Sequence, residues 1–256
     1  MAATSQWIIG RNPVEEALQS GMELEKIFLQ QGITGEVEKF LRHTCKDRGI
    51  PLSIVPKDKM RKMISGAHQG VAALIAPVQY QVLEQVLPDL FESGKVPLLV
   101  MIDGIQDARN LGAIARSAWV LGVDALIVGM KNNAPINEVA VKASAGALLK
   151  LPVCRVSSLV NTLLYVQASG CQVYASDLQA DTVLDELELT EPLMVIIGSE
   201  GEGIQNALAK RADRQFIIPQ ARSFDSLNAS VASGIIFYEI FKARIKSFGP
   251  ETGSLR

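Results

Sequence analysis

The stretch FIIPQARSFDSLNASVASG, residues 216–234, decides how the rest of the chain is read. Phe216, Ile217, Ile218 and Pro219 read as a short buried strand, a mostly polar loop follows, and a helix then opens on Ser226, Leu227 and Asn228. A buried amphipathic helix normally offers Leu and Ile to its core. Here Ala229, Ser230, Ala232, Ser233 and Gly234 instead leave room for another backbone or a ligand to come close. With Arg222, Ser223, Asp225, Ser226 and Asn228 in the preceding loop, the stretch places a polar cluster beside a close-packed surface.

Working back from it, apolar runs at 97–102, 125–128, 151–153, 172–175, 193–197 and 215–218 are separated by helix-length segments. That alternation predicts a parallel sheet covered on both faces, with ligands gathered at the strand carboxyl ends. A smaller α/β unit precedes it. Asn12, Pro13 and Glu15 have the spacing of an N-cap, a first-turn proline and a capping-box glutamate, and Gly21 ends that helix. Strands are expected at 24–29, 51–55 and 70–77, a helix at 35–48, and a short basic helix at 57–64. The expected organisation is therefore a small α/β domain at 1–77, a polar linker around a short helix at 78–95, and an α/β domain at 96–256 ending in a frayed tail from 248.

The 256 residues, 48% of them hydrophobic, suffice for two ordinary cores. No apolar run has the length of a membrane span, and the N-terminus lacks a basic region followed by an apolar one, so a cytoplasmic protein is expected. Cys45, Cys154 and Cys171 are scattered, which predicts buried free thiols in a reducing compartment. His43 and His68 have no partners spaced for a metal, and no metal site is expected.

The net charge of −2 is a poor signature for a nucleic-acid binder, but its distribution is uneven. Lys39, Arg42, Lys46, Arg48, Lys57, Lys59, Arg61 and Lys62 lie within one short region with only Asp47 and Asp58 against them. Such a concentration is either a patch for phosphates or the solvated faces of two surface helices. On the first reading Lys57, Lys59, Arg61 and Lys62 are RNA-binding candidates.

Neither a GxGxxG nor a GxxxxGK[ST] fingerprint is present. The glycine-rich turn GSEGEG at 198–203 carries two carboxylates, which would repel a polyphosphate and suit a ligand bearing positive charge or hydroxyls; a simple strand-to-helix turn needing flexible glycines is the alternative. At the end of the first strand of the larger domain stands DGIQDARNLGAIARSA, residues 103–118. Asn110 reads as an N-cap, Leu111, Ile114, Ala115 and Ala118 as the buried stripe of the helix, and Arg116 falls off that stripe.

Three stretches, DARNLGAIARSA, IIGSEGEGI and IIPQARSFDSLNASVA, together resemble the signature motifs of the SpoU (TrmH-like) RNA ribose 2′-O-methyltransferases of the SPOUT superfamily, and IIGRNPVEEAL near the start resembles that family's RNA-binding N-terminal domain. The resemblance extends over residues 8–245. It implies a small L30e-like α/β domain followed by a parallel-sheet α/β domain with a deep trefoil knot. It also implies a homodimer in which one subunit's residues complete the other's site, and S-adenosylmethionine as cofactor. Carried over position by position, the active-site residues are Asn110, Arg116, Glu200, Ser226 and Asn228, and the cofactor contacts are Gly198, Ile218 and Leu227. The implied activity is methylation of a ribose 2′-hydroxyl in structured RNA, with 23S ribosomal RNA ahead of transfer RNA because of the separate N-terminal domain. A catalytically idle RNA-binding protein of the same fold is the rival reading. Ala108, Gln220 and Arg222 stand where the family commonly has proline, methionine and glycine; Arg222 would either distort the cofactor loop or add a contact to RNA.

Overall fold

A computed structural model describes residues 7–222 and 226–248. The chain divides into two compact units, one reaching to Gln79 and taking in Pro135–Glu138, the other formed by Tyr80–Ala134 and the chain from Val139 onward.

The first unit is a four-stranded sheet with helices on both faces. Its strands are β1 (Trp7–Ile9), β2 (Leu24–Gln30), β3 (Leu52–Val55) and β4 (Val71–Ile75), in the order β1-β4-β2-β3. β2 pairs in parallel with β3, and β4 runs antiparallel to both β1 and β2. Alternation along the strands serves both faces. Ile27, Leu29, Val71 and Ala73 meet Val14 and Leu18 of α1 (Arg11–Gln19) and Leu41 and Cys45 of α2 (Glu36–Asp47). Phe28 and Ala72 point the other way, to Met60 of α3 (Lys57–Met63) and to Ile64.

The capping box expected at Asn12 is not formed. Helix α1 begins earlier, behind Gly10, whose φ of 107° only glycine adopts without strain and which makes no side-chain cap. Pro13 then sits within the first turn, where a missing N–H costs little. β1, too short to stand out in the sequence, pairs through three residues only.

The second unit is built on the expected parallel sheet. Its strands are β5 (Tyr80–Gln81), β6 (Leu98–Ile102), β7 (Ala125–Gly129), β8 (Val153–Val156), β9 (Gln172–Ser176), β10 (Leu193–Ile197) and β11 (Arg214–Phe216). The order is β11-β9-β10-β6-β7-β8-β5, and every neighbouring pair is parallel. All five residues of β6 and of β10 are buried, which is why these segments read as unbroken apolar runs. Leu99, Met101, Ile127, Val173, Met194 and Ile196 pack with Leu83 and Leu87 of α4 (Leu83–Glu92), Leu163 and Val166 of α7 (Leu159–Ala168) and Leu208 of α8 (Asn206–Ala209). The stretch 78–95 thus holds β5 and α4, whose apolar side contributes to the core of this sheet.

Helices α5 (Ala108–Val120) and α9 (Ala229–Phe248) pack on each other. The expected stripe of Leu111, Ile114, Ala115 and Ala118 is fully buried, and Arg116 is exposed. The small-sided start of α9 is used for close approach: a Cβ on Gly234 would lie 3.8 Å from Ser117 Oγ of α5, and Ser233 is buried with its hydroxyl donating to Ala229 O at 2.6 Å. Another close approach joins α5 to α6 (Glu138–Ala143). A Cβ on Gly112 would come 2.3 Å from Ala140 O and 2.7 Å from Ala143 Cβ. Ala143 and Ser144 therefore serve close packing against α5. Gly112→Ala is expected to destabilise the protein by about 1–3 kcal/mol, since backbone must move to admit the methyl; an unchanged denaturant midpoint would show that the helices separate freely.

Cys45, Cys154 and Cys171 are buried and form no disulfide among the described residues. Burial pushes the Cys154 thiol up to about 12 and the Cys171 thiol up to about 11. Among the described residues no helix is long and apolar enough to cross a membrane. The knot implied by the resemblance involves the third motif, of which residues 223–225 lie outside the described residues; of the tail expected from 248, Phe248 is the last residue of α9 and the rest lies outside the described residues.

Candidate functional site

The strand order turns outward in two directions from β6 and β10, β7 and β8 lying to one side and β9 and β11 to the other. The carboxyl ends of strands at such a reversal are where loops part and a ligand can enter. A cavity of about 370 Å³ opens there. Its lining comes from the loops after β9 and β10, from the chain after β11, and from the start of α9.

The loop after β10 is closed on itself. Ser199 N donates to Gly203 O and Gly203 N to Ser199 O, both at 3.1 Å, and Glu202 N donates to Ser199 Oγ at 3.2 Å. Gly198 is required by proximity, since a Cβ there would lie 2.3 Å from the Gly203 carbonyl carbon. A Cβ on Gly201 or Gly203 would meet nothing within 4 Å, so these glycines leave the mouth of the cavity open. Asp103, at the end of β6 and only 2% exposed, anchors the far end of the loop: its Oδ2 accepts Gln205 N at 2.7 Å and its Oδ1 accepts Gln205 Nε2 at 2.5 Å.

Glu200 connects three elements. Its Oε1 accepts Asn110 Nδ2 at 2.8 Å, Asn228 Nδ2 at 2.5 Å and Ala229 N at 3.3 Å. Asn228 Nδ2 also donates to Asn110 Oδ1 at 3.3 Å, and Ser226 Oγ donates to Glu200 O at 3.0 Å. Asn110 does not cap its helix as expected. Asp107 does so, its Oδ1 accepting Arg109 N at 2.7 Å, which leaves the Asn110 side chain in the first turn free to reach across to Glu200. Asn228 is the cap of α9, with Oδ1 accepting Ser230 N at 3.0 Å while its amide nitrogen faces the cluster.

Of the residues singled out in the sequence, Gly198, Glu200, Ile218, Ser226 and Leu227 line the cavity, and Asn110 and Asn228 are tied to it through Glu200. Arg116 is not among them. It lies six residues beyond Asn110, about 240° round the helix, and is exposed with no hydrogen bond or ion pair to any described residue. Arg222 is exposed and does not line the cavity, while Gln220 does. Asp177, Gln179 and Asn206 also line it, although the sequence had not singled them out. Their signal was position, Asp177 standing immediately after the carboxyl end of β9. The cavity's carboxylates are Asp177, Glu200 and Glu202, and no Lys, Arg or His is among its described lining residues. Such a lining disfavours phosphate and favours a ligand with hydroxyls and positive charge.

The basic run of the first unit is divided in use. Arg42 pairs with Glu38 at 2.9 Å, and His43 Nε2 lies 3.1 Å from Asp47 Oδ2. Arg48 is structural, donating to Leu18 O at 2.7 Å and Met22 O at 3.1 Å. Lys57, Lys59, Arg61 and Lys62 are all exposed on α3, and of these Lys57 and Arg61 line a second cavity.

Two stretches of the chain match family models. Residues 97–238 match the SpoU rRNA Methylase family, and residues 7–81 match the family described as RNA 2′-O ribose methyltransferase substrate binding. A Staphylococcus aureus protein named for the TrmH family of tRNA/rRNA methyltransferases is 35% identical over 237 residues, 93% of this chain and 96% of its own. The SpoU methyltransferase AviRb of Streptomyces viridochromogenes, solved in complex with the cofactor AdoMet, superposes with a TM-score of 0.60 at 25% identity over 94% of this chain and 90% of its own. The TrmH/SpoU tRNA modifying enzyme of A. aeolicus gives 0.55 at 29% identity over 64% of this chain and 85% of its own. With the three motifs converging on one cavity and both halves of the sequence matched, the chain belongs to the SpoU family of RNA methyltransferases.

Proposed function

We propose that this protein uses S-adenosylmethionine to methylate a ribose 2′-hydroxyl of structured RNA, and that the RNA is 23S ribosomal RNA. The observation that carries the reading is the carboxylate-lined, cation-free cavity continuous with the Asn110–Glu200–Asn228 cluster. When bound there, S-adenosylmethionine supplies a methyl group on a positively charged sulfur. Gly198, Ile218 and Leu227 wall the adenosine, the first through backbone and the other two through apolar surface. Glu200 fixes Asn110 and Asn228, and Ser226 holds the third motif to the Glu200 backbone, so that the polar groups are set before substrate arrives. The ribosomal assignment rests on the separate first unit, which the resemblance ties to the ribosomal-RNA members of the family and which lies largely outside the 64% of this chain that aligns with the solved tRNA-modifying relative.

Arg116 acts on the RNA. A guanidinium is effectively always protonated, so its role is to grip the phosphate beside the target ribose and to stabilise the 2′-oxygen as its proton passes to water. Because Arg116 stands apart from the cluster of its own subunit, it serves the site of a partner in a homodimer. The surface for that partner is the outer face of α9, where Val231, Ile235 and Tyr238 are 50%, 37% and 53% exposed at helical spacing.

Calorimetry with S-adenosylmethionine is expected to give saturable binding, and ribose-methylation mapping in cells lacking the protein is expected to lose one site in 23S RNA. A folded dimer that binds no S-adenosylmethionine would favour a catalytically idle RNA-binding protein, and a lost site in transfer RNA would reassign the substrate. Neutralising Lys57, Lys59, Arg61 and Lys62 together is expected to weaken RNA binding and flatten its salt dependence by about 3 units of log–log slope, while cofactor binding stays unchanged. An unchanged slope would dispose of α3 as an RNA contact.

A further inference from the structure

We propose that a cationic cleft in the first unit takes up a single unpaired nucleotide of the RNA; this rests on the RNA substrate proposed above. The cleft has a volume of about 850 Å³, and its lining includes Arg11, Gln30, Ile33, Lys57, Arg61 and His68. The cleft is open to solvent along much of its length, and its extent exceeds what a phosphate alone requires.

Three cations converge there, and no Asp or Glu is among the described lining residues. Lys57 and Arg61 stand one turn apart on α3 and so share a face, while Lys59 and Lys62 of the same helix do not line the cleft. Arg11 is held in place by Gln69: its Nε donates to Gln69 O at 3.1 Å, and its backbone N donates to Gln69 Oε1 at 3.3 Å. That leaves the two terminal guanidinium nitrogens without a partner among the described residues, a fork suited to a phosphate. The neighbouring wall is conformationally specialised. Gly66, Gln69 and Gly70 have φ values of 118°, 49° and 76°, and the Gly70 position is closely packed, with a Cβ meeting Ile33 Cδ1 at 2.1 Å.

The remaining polar groups are aimed at a base. His68 Nδ1 accepts Gly70 N at 2.9 Å, so a neutral ring carries its proton on Nε2 and presents a donor. The Gln30 amide has no hydrogen bond among the described residues and offers both a donor and an acceptor, and Ile33 supplies apolar surface for a base face. In a duplex the bases are stacked away from such a concavity, whereas an unstacked nucleotide can place its phosphate on Arg11, Lys57 and Arg61 and its base inside.

The test uses the full-length protein and two labelled RNAs of equal length, one a hairpin with a single-stranded loop and one fully paired, without methyl donor. The wild type is expected to prefer the hairpin. Lys57→Gln with Arg61→Gln should cost about tenfold on the hairpin and much less on the duplex, whereas Lys59→Gln with Lys62→Gln should weaken both alike. Gln30→Leu, which leaves the charge untouched, should narrow the preference for the hairpin without changing the salt slope. A wild type indifferent to the two RNAs, or a cleft pair that weakens both by the same factor, overturns the cleft while RNA binding stands. A wild type that binds neither RNA removes the RNA reading itself.

Discussion

Glu200→Ala is expected to lower methyl transfer by about 10²–10³-fold, and Glu200→Gln by much less. One carboxylate oxygen, Oε1, receives donors from Asn110 on α5 and from Asn228 and Ala229 at the start of α9. Truncation leaves all three without their acceptor and frees two amide side chains beside the cavity. Because Asn110 and Asn228 are partly accessible, water can satisfy them, and the loss of stability should stay near 1 kcal/mol. Turnover responds more strongly, because misplacement of reacting groups by about 1 Å can cost a hundredfold. Glutamine keeps an oxygen at the hub and so keeps most of the geometry. The measurement is single-turnover incorporation of labelled methyl groups, accompanied by thermal denaturation. Turnover of Glu200→Ala within threefold of wild type, at full stability, would show that the hub does not organise catalysis.

The strands that build this site were legible because β6 and β10 are buried on both faces and leave unbroken apolar runs in the sequence. The stripe of α5 was legible for the same kind of reason, being set by helical spacing alone. Helix starts were not. Asp107 and Asn110 are both good caps, and only the reach of Asn110 to Glu200, 90 residues away in sequence, separates their roles. Gly10 precedes α1 with no side chain to announce it. Charge was legible as a total but not as a use: Arg42 and Arg48 satisfy partners in the fold, whereas Lys57 and Arg61 are joined by Arg11 and His68 into a cleft that no local pattern shows. Asp103 is invisible for a related reason, its whole function lying in two bonds to Gln205.

Arg116 provides the sharpest test of how the site is completed. Arg116→Ala is expected to lower turnover by about 10³-fold with cofactor binding intact, since the residue is not among those that line the cavity. Arg116→Lys should recover only part of that loss, because an ammonium cannot reproduce the bidentate fork on a phosphate. If each site draws Arg116 from the partner, then two inactive variants should rescue one another. In a mixed dimer of Arg116→Ala and Glu200→Ala subunits, one site carries both lesions and the other carries none. Random reassortment makes about half of the dimers mixed, so about a quarter of wild-type activity should return. If Arg116 served the site of its own subunit, every site in the mixture would carry one lesion and no activity would return. The same outcome with the dimer intact by sedimentation would move Arg116 out of the shared site, and full turnover of Arg116→Lys at unchanged RNA affinity would remove it from the chemistry altogether.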